Sequence, residues 1–551
     1  MAPTFPGRDK SRDGFANRCE LYSLTHFGWL WRLVQKHDAL ARWVNRKLIN
    51  QAVYKVPTRP RPFSTMAEYS SWDSLTDRSW LGRHLPADPD FNRPGTLPPI
   101  DKVVDLFRMR SAADLLSPKS TVLFPYFVQW FSDGFLRVTS DAGDDKSVDR
   151  NGDDGAPGTA DARARLRTTS NHQIDLSTVY GITSAATRKL RSGTGGRLKS
   201  QTINGEEYPP FYYQEPRAYP GDDVIAADLD GVYRPSLLER HQPPERKATL
   251  FATGVDRGNV HIGFVALNTL CLREHNRLCG LIAERHPDWD DERLFQTARN
   301  TLIAIVGRIV VEEYINHIAP YHFEFVFDPV AFQNERWYRL NWMTVEFSMV
   351  YRWHMALPGL LHHGGVDIPM PQSMFNNTML TDMGLAAFFE EASSQPAGRI
   401  GVHNTPDFLL HLERTTIAWG RETQLASYND YREYCRFPRV TDFNQITGDA
   451  GVQRQLAGIY GHVDKIEFYP GLMAEDVRPG SALPPLVGRL IGIDAFSQVY
   501  TSPLFAEHIF NERTFSDVGW KAIQDTRTLE QLVRRNVPAS GRKVRVTFQR
   551  G

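Results

Sequence analysis

The chain of 551 residues carries 64 basic and 64 acidic side chains, so no global positive field argues for nucleic acid as a partner. A hydrophobic content of 41%, with 11% aromatic residues, is enough for a large buried core. The four cysteines, Cys19, Cys271, Cys279 and Cys435, are too few for a disulfide scaffold and include no Cys-x-x-Cys pair typical of a zinc site.

The N-terminus, MAPTFPGRDKSRDGF, has no apolar core of the kind that marks a signal peptide. No stretch of 18 apolar residues occurs in the sequence, so no helix that spans a bilayer is expected. A cytoplasmic location in a reducing compartment is therefore the expectation.

Residues 24–55, LTHFGWLWRLVQKHDALARWVNRKLINQAVYK, interleave tryptophan and leucine with arginine and lysine and contain a single acid, Asp38. Tryptophans on short basic helices suit helices that lie in the plane of a membrane surface. An ordinary amphipathic helix docked on the core fits the pattern equally well. We assign residues 1–75 to an N-terminal amphipathic segment and linker, and residues 76–551 to one catalytic domain.

Most of the remaining sequence has helical periodicity, and nothing repeats at a fixed interval, so the prediction is a mostly α domain. The Gly- and Asp-rich stretch 147–167 predicts an exposed loop. A long helical run from Asn268 breaks at His286-Pro287 and restarts at DWDDERLF with acidic residues in its first turn. Strand signals are short, as in FEFVFDP (323–329).

Tyr351 and His354 are three residues apart in TVEFSMVYRWHMALP (344–358), which predicts a helix with both side chains on one face. Pro358 disfavours helical backbone at Leu357, so the helix is expected to end there, with His354 near its C-terminus. Taken alone, such a pair is more typical of core packing with hydrogen-bonded polar ends.

The stretch EFSMVYRWHMALP resembles the proximal helix of the animal haem peroxidase family, specifically its cyclooxygenase-like fatty-acid dioxygenases of the linoleate 10-dioxygenase type. The resemblance covers roughly residues 65 to 530 and includes, in the family's order, YSSWDSLTDRSWLGRHLPADP, NHQIDLSTVYG, INGEEYPP, LREHNRLCGLIAERHPDWDDERLFQTAR, EEYINHI, NNTMLTDMGLAAFFEEASSQPAGRI and IEFYPGLMAED. It implies a largely helical domain with haem b, and monotopic, peripheral attachment to a membrane through the N-terminal helices. A homo-oligomer is compatible with the sequence.

By this resemblance His354 is the proximal ligand of the haem iron, and Tyr351 is the residue that becomes a radical. The implied function is addition of O₂ to a polyunsaturated fatty acid such as linoleate, through a tyrosyl radical, to give a hydroperoxide. The alternatives are a prostaglandin-forming cyclooxygenase, a peroxidase that oxidises small donors, and a haem- or membrane-binding protein that has lost catalysis.

The distal side departs from the family pattern. VLFPYFVQWFSDGFLR (122–137) aligns with the family helix that carries a glutamine and, four residues later, the distal histidine. Gln129 is present, but Asp133 stands where the histidine is expected. A distal histidine moves a proton across bound peroxide, so efficient peroxidase turnover is not expected here. Asp133 is either a carboxylate that takes over this role or a structural polar residue.

A calcium site is a further hypothesis from the resemblance to the broader family. In NHQIDLSTVYG, oxygen donors alternate as a hard cation requires, and Asp133 would complete the set. The predicted ligands are Asp133, Asn171, the carbonyl of Gln173, Asp175 and Ser177.

The substrate channel is predicted from alignment with the family. Its expected residues are Tyr314, Ile315, Ile318, Phe347 and Ser497. The arginine that anchors the substrate carboxylate in cyclooxygenases falls near Ala52 or Val53, which cannot pair with a carboxylate. Lys55 or Arg46 would have to substitute, the lysine only as a point charge.

Overall fold

The computed structural model describes residues 15–54, 80–111, 115–138, 166–219, 221–338, 342–538 and 544–551. About half of the chain is helical with few strands, so the predicted mostly α fold is confirmed. The boundary proposed at residue 75, Lys55 and most of the loop at 147–167 lie outside the described residues. The division into two segments stays a prediction.

The helices of the first half, in chain order, are α1 (Phe15–His26), α2 (Gly28–Gln35), α3 (Asp38–Tyr54), α4 (Ile100–Asp105), α5 (Leu123–Ser132), α6 (Ser177–Tyr180), α7 (Ser184–Leu190), α8 (Leu237–Arg240), α9 (Pro244–Lys247), α10 (Ile262–Arg285), α11 (Asp291–Ile309) and α12 (Asn316–Ile318). Those that follow are α13 (Val345–Val350), α14 (Thr378–Met383), α15 (Leu385–Ser394), α16 (Leu410–Glu422), α17 (Tyr428–Tyr434), α18 (Ala450–Tyr460), α19 (Phe468–Ala474), α20 (Pro485–Tyr500), α21 (Glu512–Asp525) and α22 (Leu529–Asn536).

The strands form four antiparallel pairs and no larger sheet within the described ranges. They are β1 (Leu116–Thr121) with β8 (Pro396–Gly398), β2 (Gln201–Ile203) with β3 (Glu206–Tyr208), β4 (Tyr213–Glu215) with β5 (Val224–Ile225), and β6 (Leu360–His363) with β7 (Val366–Pro369).

The centre of the molecule is α10, which is buried along most of its length. It packs against α11 on one side and α5 on another, and α11 packs in turn against α21. A helix that is buried on nearly every side belongs in the core of a large domain. One continuous apolar core runs from Leu24 and Val53 of the N-terminal helices to Phe548 near the C-terminus.

The predicted break between the two long helices is confirmed. α10 ends at Arg285, and α11 begins at Asp291 after Asp290, whose side chain accepts the backbone N–H of Arg293. An aspartate at this position satisfies one of the helix's free N–H groups. The stretch Asp291–Ile318 is the one described segment long and apolar enough to cross a bilayer, and 83% of its most apolar window is buried inside the protein.

The C-terminal end of α11 does not stay α-helical. Residues Val310–Ile315 form a π-helical turn before the short helix α12. This turn carries Tyr314 and Ile315, two of the predicted channel residues. A π-turn adds a residue to one helical turn, re-aims the side chains that follow it, and is frequent at functional sites.

The predicted single helix over 344–357 is wrong. α13 ends at Val350, Tyr351 leaves the helical region with φ −98° and ψ 9°, and a separate 3₁₀ turn spans His354–Ala356. Pro358 constrains only the residue before it, so it sets no limit on an earlier end. Tyr351 and His354 are therefore positioned by two distinct turns.

The predicted strand at 323–329 is also wrong, because the segment pairs with no other strand and Pro329 begins a 3₁₀ turn. Its backbone bonds go to side-chain amides instead. Asn45 of α3 donates to Val326 O at 2.9 Å and accepts from Val326 N at 3.0 Å. Asn316 makes the same two bonds with Phe325. An amide group reproduces the donor and acceptor of a neighbouring strand, and the Asn45 pair fixes α3 to the core.

Candidate active site

His354 lies in the 3₁₀ turn between the buried residues Trp353 and Met355, and its side chain is 18% exposed. Its Nδ1 atom lies 3.2 Å from Oε1 of Glu413 on α16 and makes no hydrogen bond to a described residue. A buried ring nitrogen needs a partner, and the Glu413 carboxylate is the acceptor within reach. Nε2 of the ring is left for another ligand.

Glu413 is fully buried, and its two carboxylate oxygens have different partners. Oε1 accepts from Thr405 Oγ1 at 2.9 Å, and Oε2 accepts from Tyr469 Oη at 2.7 Å. The carboxylate is thus fixed in position beside His354. A carboxylate behind an imidazole fixes its tautomer and its ring plane, as in many metal sites. Nothing in the spacing of His354 and Glu413 predicts this contact from the sequence.

Tyr351 lies beside this turn, in a cluster of aromatic rings. Its ring is 5.3 Å from that of Trp353 and 5.1 Å from that of Phe347, and the Tyr314 hydroxyl lies 3.2 Å from the Tyr351 hydroxyl. Burial raises the pKa of the Tyr351 phenol, so the hydroxyl stays protonated at neutral pH. The structure brings together three residues that the resemblance connects, Tyr351, Tyr314 and Phe347.

Helix α5 faces the same aromatic cluster. The Phe124 ring lies 5.7 Å from that of Trp353 and 5.9 Å from that of Tyr314. Gln129 follows on the same helix and is its one residue that is not buried. Since α5 is otherwise enclosed, partial exposure at Gln129 indicates that its side chain reaches an unfilled space. His354 has the same pattern of partial exposure within a buried segment.

Gln129 has a partner that the sequence did not predict. Its Oε1 atom lies 2.8 Å from Nε2 of His261, the residue that precedes α10. His261 is buried, and the Tyr126 ring stacks on it with 4.8 Å between ring centres. Burial lowers the pKa of His261 to about 3, so its imidazole is neutral.

Asp133 is buried and bound by two guanidinium groups. Its Oδ2 lies 3.1 Å from Arg137 Nη1, and its Oδ1 lies 3.2 Å from Arg257 Nη1. Arg137 also bonds to Asp256. Both carboxylate oxygens of Asp133 are therefore used in ion pairs, which supports the structural alternative for this residue.

The loop proposed as a calcium site is held by its own side chains. Asp175 accepts from Asn171 Nδ2 at 2.6 Å and from Ser177 N at 2.9 Å, and Asn171 Oδ1 accepts from Gln173 N at 2.7 Å. In the described ranges, no group of three His, Cys, Asp or Glu side chains is arranged to hold a metal. Calcium at Asp133 and this loop stays a prediction that nothing here tests.

An apolar cavity of about 150 Å³ lies between the N-terminal helices and the core. Ile315 and Ile318, two of the residues proposed for the channel, line it together with Ala52 of α3. Arg478 and Arg489 also line it, and the other described lining side chains are neutral. Desolvation lowers the pKa of Arg478 to about 10, and the positive charge of Arg489 contributes.

The other residues considered for the channel lie elsewhere. Ser497 is fully buried in α20, and its hydroxyl donates to the carbonyl of Asp494, so it does not line this cavity. Arg46 is about half exposed and pairs with Glu335 at 3.2 Å. A wide cleft of about 2070 Å³ shares Arg478 and Tyr321 with this cavity and is lined by none of Gln129, Tyr351 and His354.

The family profile of animal haem peroxidases matches residues 135–548. The chain belongs to this family. It is 30% identical to prostaglandin G/H synthase 2 of Bos taurus over 528 residues, 94% of this chain and 80% of that protein. It is 31% identical to prostaglandin G/H synthase 1 of Rattus norvegicus over 523 residues, 93% of this chain and 79% of that protein.

Solved structures share the fold. Fatty acid alpha-dioxygenase of Oryza sativa superposes with a TM-score of 0.64 at 17% identity, over 95% of this chain and 96% of that one. Peroxidase A of Dictyostelium discoideum gives a TM-score of 0.64 at 19% identity, over 86% of this chain and 95% of that one. The protein is therefore a helical oxidoreductase of a family that implies haem.

The residues present fit an iron porphyrin. His354 Nδ1 lies 3.2 Å from the buried Glu413 carboxylate, so Nε2 is the ring nitrogen that would face the iron. Aromatic side chains of α5 and the 351–354 turn supply an apolar surface for a flat macrocycle. A histidine with a buried carboxylate beside it, in an apolar setting, is compatible with haem ligation.

Proposed function

We propose that the protein is a haem-dependent dioxygenase that adds O₂ to a polyunsaturated fatty acid such as linoleate and releases the hydroperoxide. The observation that carries the proposal is the Tyr351 phenol, which lies in an aromatic cluster next to the His354 turn. The names of similar proteins support a fatty-acid substrate, since they include prostaglandin synthases and fatty acid alpha-dioxygenases.

In this proposal His354 would hold the haem, and Glu413, 3.2 Å from Nδ1, would orient the imidazole. Bound haem supplies one-electron oxidation of a neighbouring phenol. A phenol is suited to this step, because Tyr351 loses its hydroxyl proton together with the electron and becomes a neutral oxygen-centred radical. The Tyr314 hydroxyl, 3.2 Å away, fixes the orientation of the Tyr351 O–H bond.

The chemistry at Tyr351 is a hydrogen-atom relay. The tyrosyl oxygen takes a hydrogen atom from the carbon between two double bonds of the acid, which regenerates the phenol and leaves a carbon radical. The unpaired electron spreads over five carbons, and O₂ adds at one end of this system, which leaves a conjugated diene and gives a peroxyl radical. The peroxyl oxygen takes the hydrogen atom back from Tyr351, so the hydroperoxide leaves and the tyrosyl radical is ready for the next substrate. No nicotinamide or other reductant is consumed.

We further infer that Arg489, with Arg478 beside it, binds the carboxylate end of the substrate. Both line the apolar cavity that also contains Ile315, the residue after Tyr314. Burial first, and the charge of Arg489 second, lower the pKa of Arg478, and a bound anion would offset both. At about 150 Å³ the cavity is smaller than the roughly 300–1,000 Å³ of typical ligand pockets, so it fits one end of a long chain.

The substrate assignment is tested with the free acid and its methyl ester. Haem-loaded protein should take up O₂ with linoleate and produce conjugated-diene absorbance. Arg489→Gln should raise KM for linoleate about 10- to 100-fold, as expected for loss of a charged hydrogen bond, and leave KM for methyl linoleate unchanged. Arg46→Gln, at an arginine that does not line the cavity, is the matched control. Absence of O₂ uptake by protein with a normal haem spectrum would contradict the proposed function, and an endoperoxide product would replace it with cyclooxygenase activity.

We also propose that α2 and α3 attach the protein peripherally to a membrane surface. Trp29 is 63% exposed and Trp43 60% exposed, and Leu33 and Leu40 lie exposed near them, while Val44 of α3 packs into the core. Basic side chains on these helices favour anionic lipid. Trp29→Ser with Trp43→Ser should reduce flotation with anionic vesicles. Leu360→Ser, at a site that is 56% exposed, is the control, and equal flotation of all variants would contradict attachment.

A further inference from the structure

The distal residue Gln129 is paired with a histidine that caps a different helix, α10. The two side chains are 132 positions apart in sequence and meet at 2.8 Å, where α5 and α10 pack together. Gly263 permits this approach, because a Cβ atom there would lie 2.1 Å from the Tyr126 ring. Tyr126 stacks on His261 and precedes Gln129 by one helical turn. The contact is therefore part of the packing between two core helices.

The hydrogen bonds of His261 fix which ring nitrogen carries the proton. Nδ1 accepts the backbone N–H of Phe264 at 3.1 Å and so caps α10, which leaves Nε2 as the protonated nitrogen. Nε2–H then donates to Gln129, so the atom of the Gln129 amide that faces His261 is the acceptor Oε1. Histidine is not a favoured residue for a helix N-cap, where Ser, Thr, Asp and Asn predominate.

The Gln129 amide is thereby held with its NH₂ group away from His261. No hydrogen bond joins this NH₂ group to another described residue, and Gln129 is the partly exposed residue of an otherwise buried helix. The NH₂ group is available to the unfilled space beside α5. Asp133, one turn further on, already pairs with Arg137 and Arg257.

We propose that His261 is a positioning residue that holds Gln129 as a fixed, neutral hydrogen-bond donor to a ligand bound on the haem face opposite His354. This inference rests on the proposed function and specifies its distal side. Both nitrogens of His261 are already used, and burial keeps the ring neutral, so His261 orients Gln129 and does not itself carry a proton to the ligand. Gln129 would then stabilise a bound ligand by donation, and neither Gln129 nor His261 would supply the distal acid–base step.

The experiment uses the full-length haem-loaded protein and two probes, carbon monoxide on ferrous haem and azide on ferric haem. A donor to bound carbon monoxide lowers and narrows its infrared C–O stretch. His261→Asn keeps a favoured helix cap but is too short to reach Gln129. It should broaden the C–O band and move it to the higher frequency of Gln129→Leu. Azide affinity should fall about 3- to 10-fold in both variants, the effect of losing one neutral hydrogen bond.

Tyr126→Phe is the matched control, because it keeps the ring that stacks on His261 and removes only a hydroxyl; its C–O band should match the wild type. A His261→Asn band identical to the wild type would overturn the positioning role. Loss of peroxide turnover in His261→Asn with an unchanged C–O band would assign proton transfer to His261 and also contradict the proposal. A wild type without a Soret band would overturn the proposed function itself.

Discussion

The two sides of the candidate haem site are built differently. On the side of His354, the imidazole lies against a fully buried carboxylate, Glu413, which is itself held by two hydroxyl groups. On the side of Gln129, the position where a histidine is expected holds Asp133, whose two oxygens pair with arginines. The only histidine that the described structure brings to Gln129, His261, is neutral with both ring nitrogens engaged.

The two sides are therefore suited to different roles in the proposed reaction. A held imidazole and a nearby phenol are what radical oxygenation needs, and both are present on the His354 side. Rapid cleavage of peroxide needs a mobile proton on the other side, and the groups there are fixed donors or paired charges. The arrangement therefore favours a dioxygenase that is activated slowly by peroxide over a peroxidase that turns it over.

The largest effect is expected from a substitution on the His354 side. His354→Ala removes the proposed axial ligand, and neither His362 nor His363 can replace it, because they lie on strand β6, where each already has an acidic partner. The variant should lose haem, or its normal axial ligation, together with all oxygenation. The Soret spectrum after haem loading measures this, and an unchanged spectrum with full activity would rule out the ligand assignment.

The next effect concerns the carboxylate behind the ligand. Glu413→Ala leaves the Thr405 hydroxyl without its acceptor, while the Tyr469 hydroxyl keeps the carbonyl of Arg352, so the free energy of unfolding should fall by about 1–3 kcal/mol. Glu413→Gln keeps one acceptor oxygen and should cost less. Glu413→Gln replaces the negative charge beside His354 with a neutral amide. The midpoint potential of the haem should therefore become more positive. Urea unfolding and redox titration measure the two effects; a midpoint equal to that of the wild type would mean that Glu413 only supports packing.

The smallest effect is expected from a substitution on the Gln129 side. Asp133→Asn should lower stability by about 1–3 kcal/mol, since it weakens charged hydrogen bonds to Arg137 and Arg257. Oxygenation and the Soret spectrum should remain those of the wild type, because both carboxylate oxygens are already occupied. Urea unfolding and O₂ uptake on the same preparation check this. If Asp133→Asn lost oxygenation while its stability stayed that of the wild type, Asp133 would have a catalytic role.

The sequence predicted the elements that depend on local chemistry. The break after α10 and the acidic start of α11 follow from Pro287 and Asp290. Local rules failed at Tyr351, where the chain leaves the helix seven residues before Pro358, and at 323–329, where side-chain amides replace a partner strand. Both outcomes depend on residues far away in sequence.

In the candidate site, too, local motifs were predicted and contacts between distant residues were not. Tyr314, Phe347 and Tyr351 come from motifs, and the structure brings them together. His261 and Glu413 were missed, because each reaches its partner only through packing of separate helices and has no fixed spacing from it. The one signal available for His261 was a histidine where a helix cap usually has a short polar residue.

The central claim, that Tyr351 is the oxidant of the fatty acid, is tested most directly by O₂ uptake with linoleate in Tyr351→Phe. This change removes one oxygen atom and keeps the ring that packs against Trp353 and Phe347. Tyr314→Phe is the matched control, since it also removes one hydroxyl from the same hydrogen bond but leaves the radical site. We expect Tyr351→Phe to bind haem with a normal Soret band and to consume no O₂, and Tyr314→Phe to retain O₂ uptake within about tenfold of the wild type, the loss expected for one hydrogen bond. O₂ consumption by Tyr351→Phe at the rate of the wild type would contradict the account.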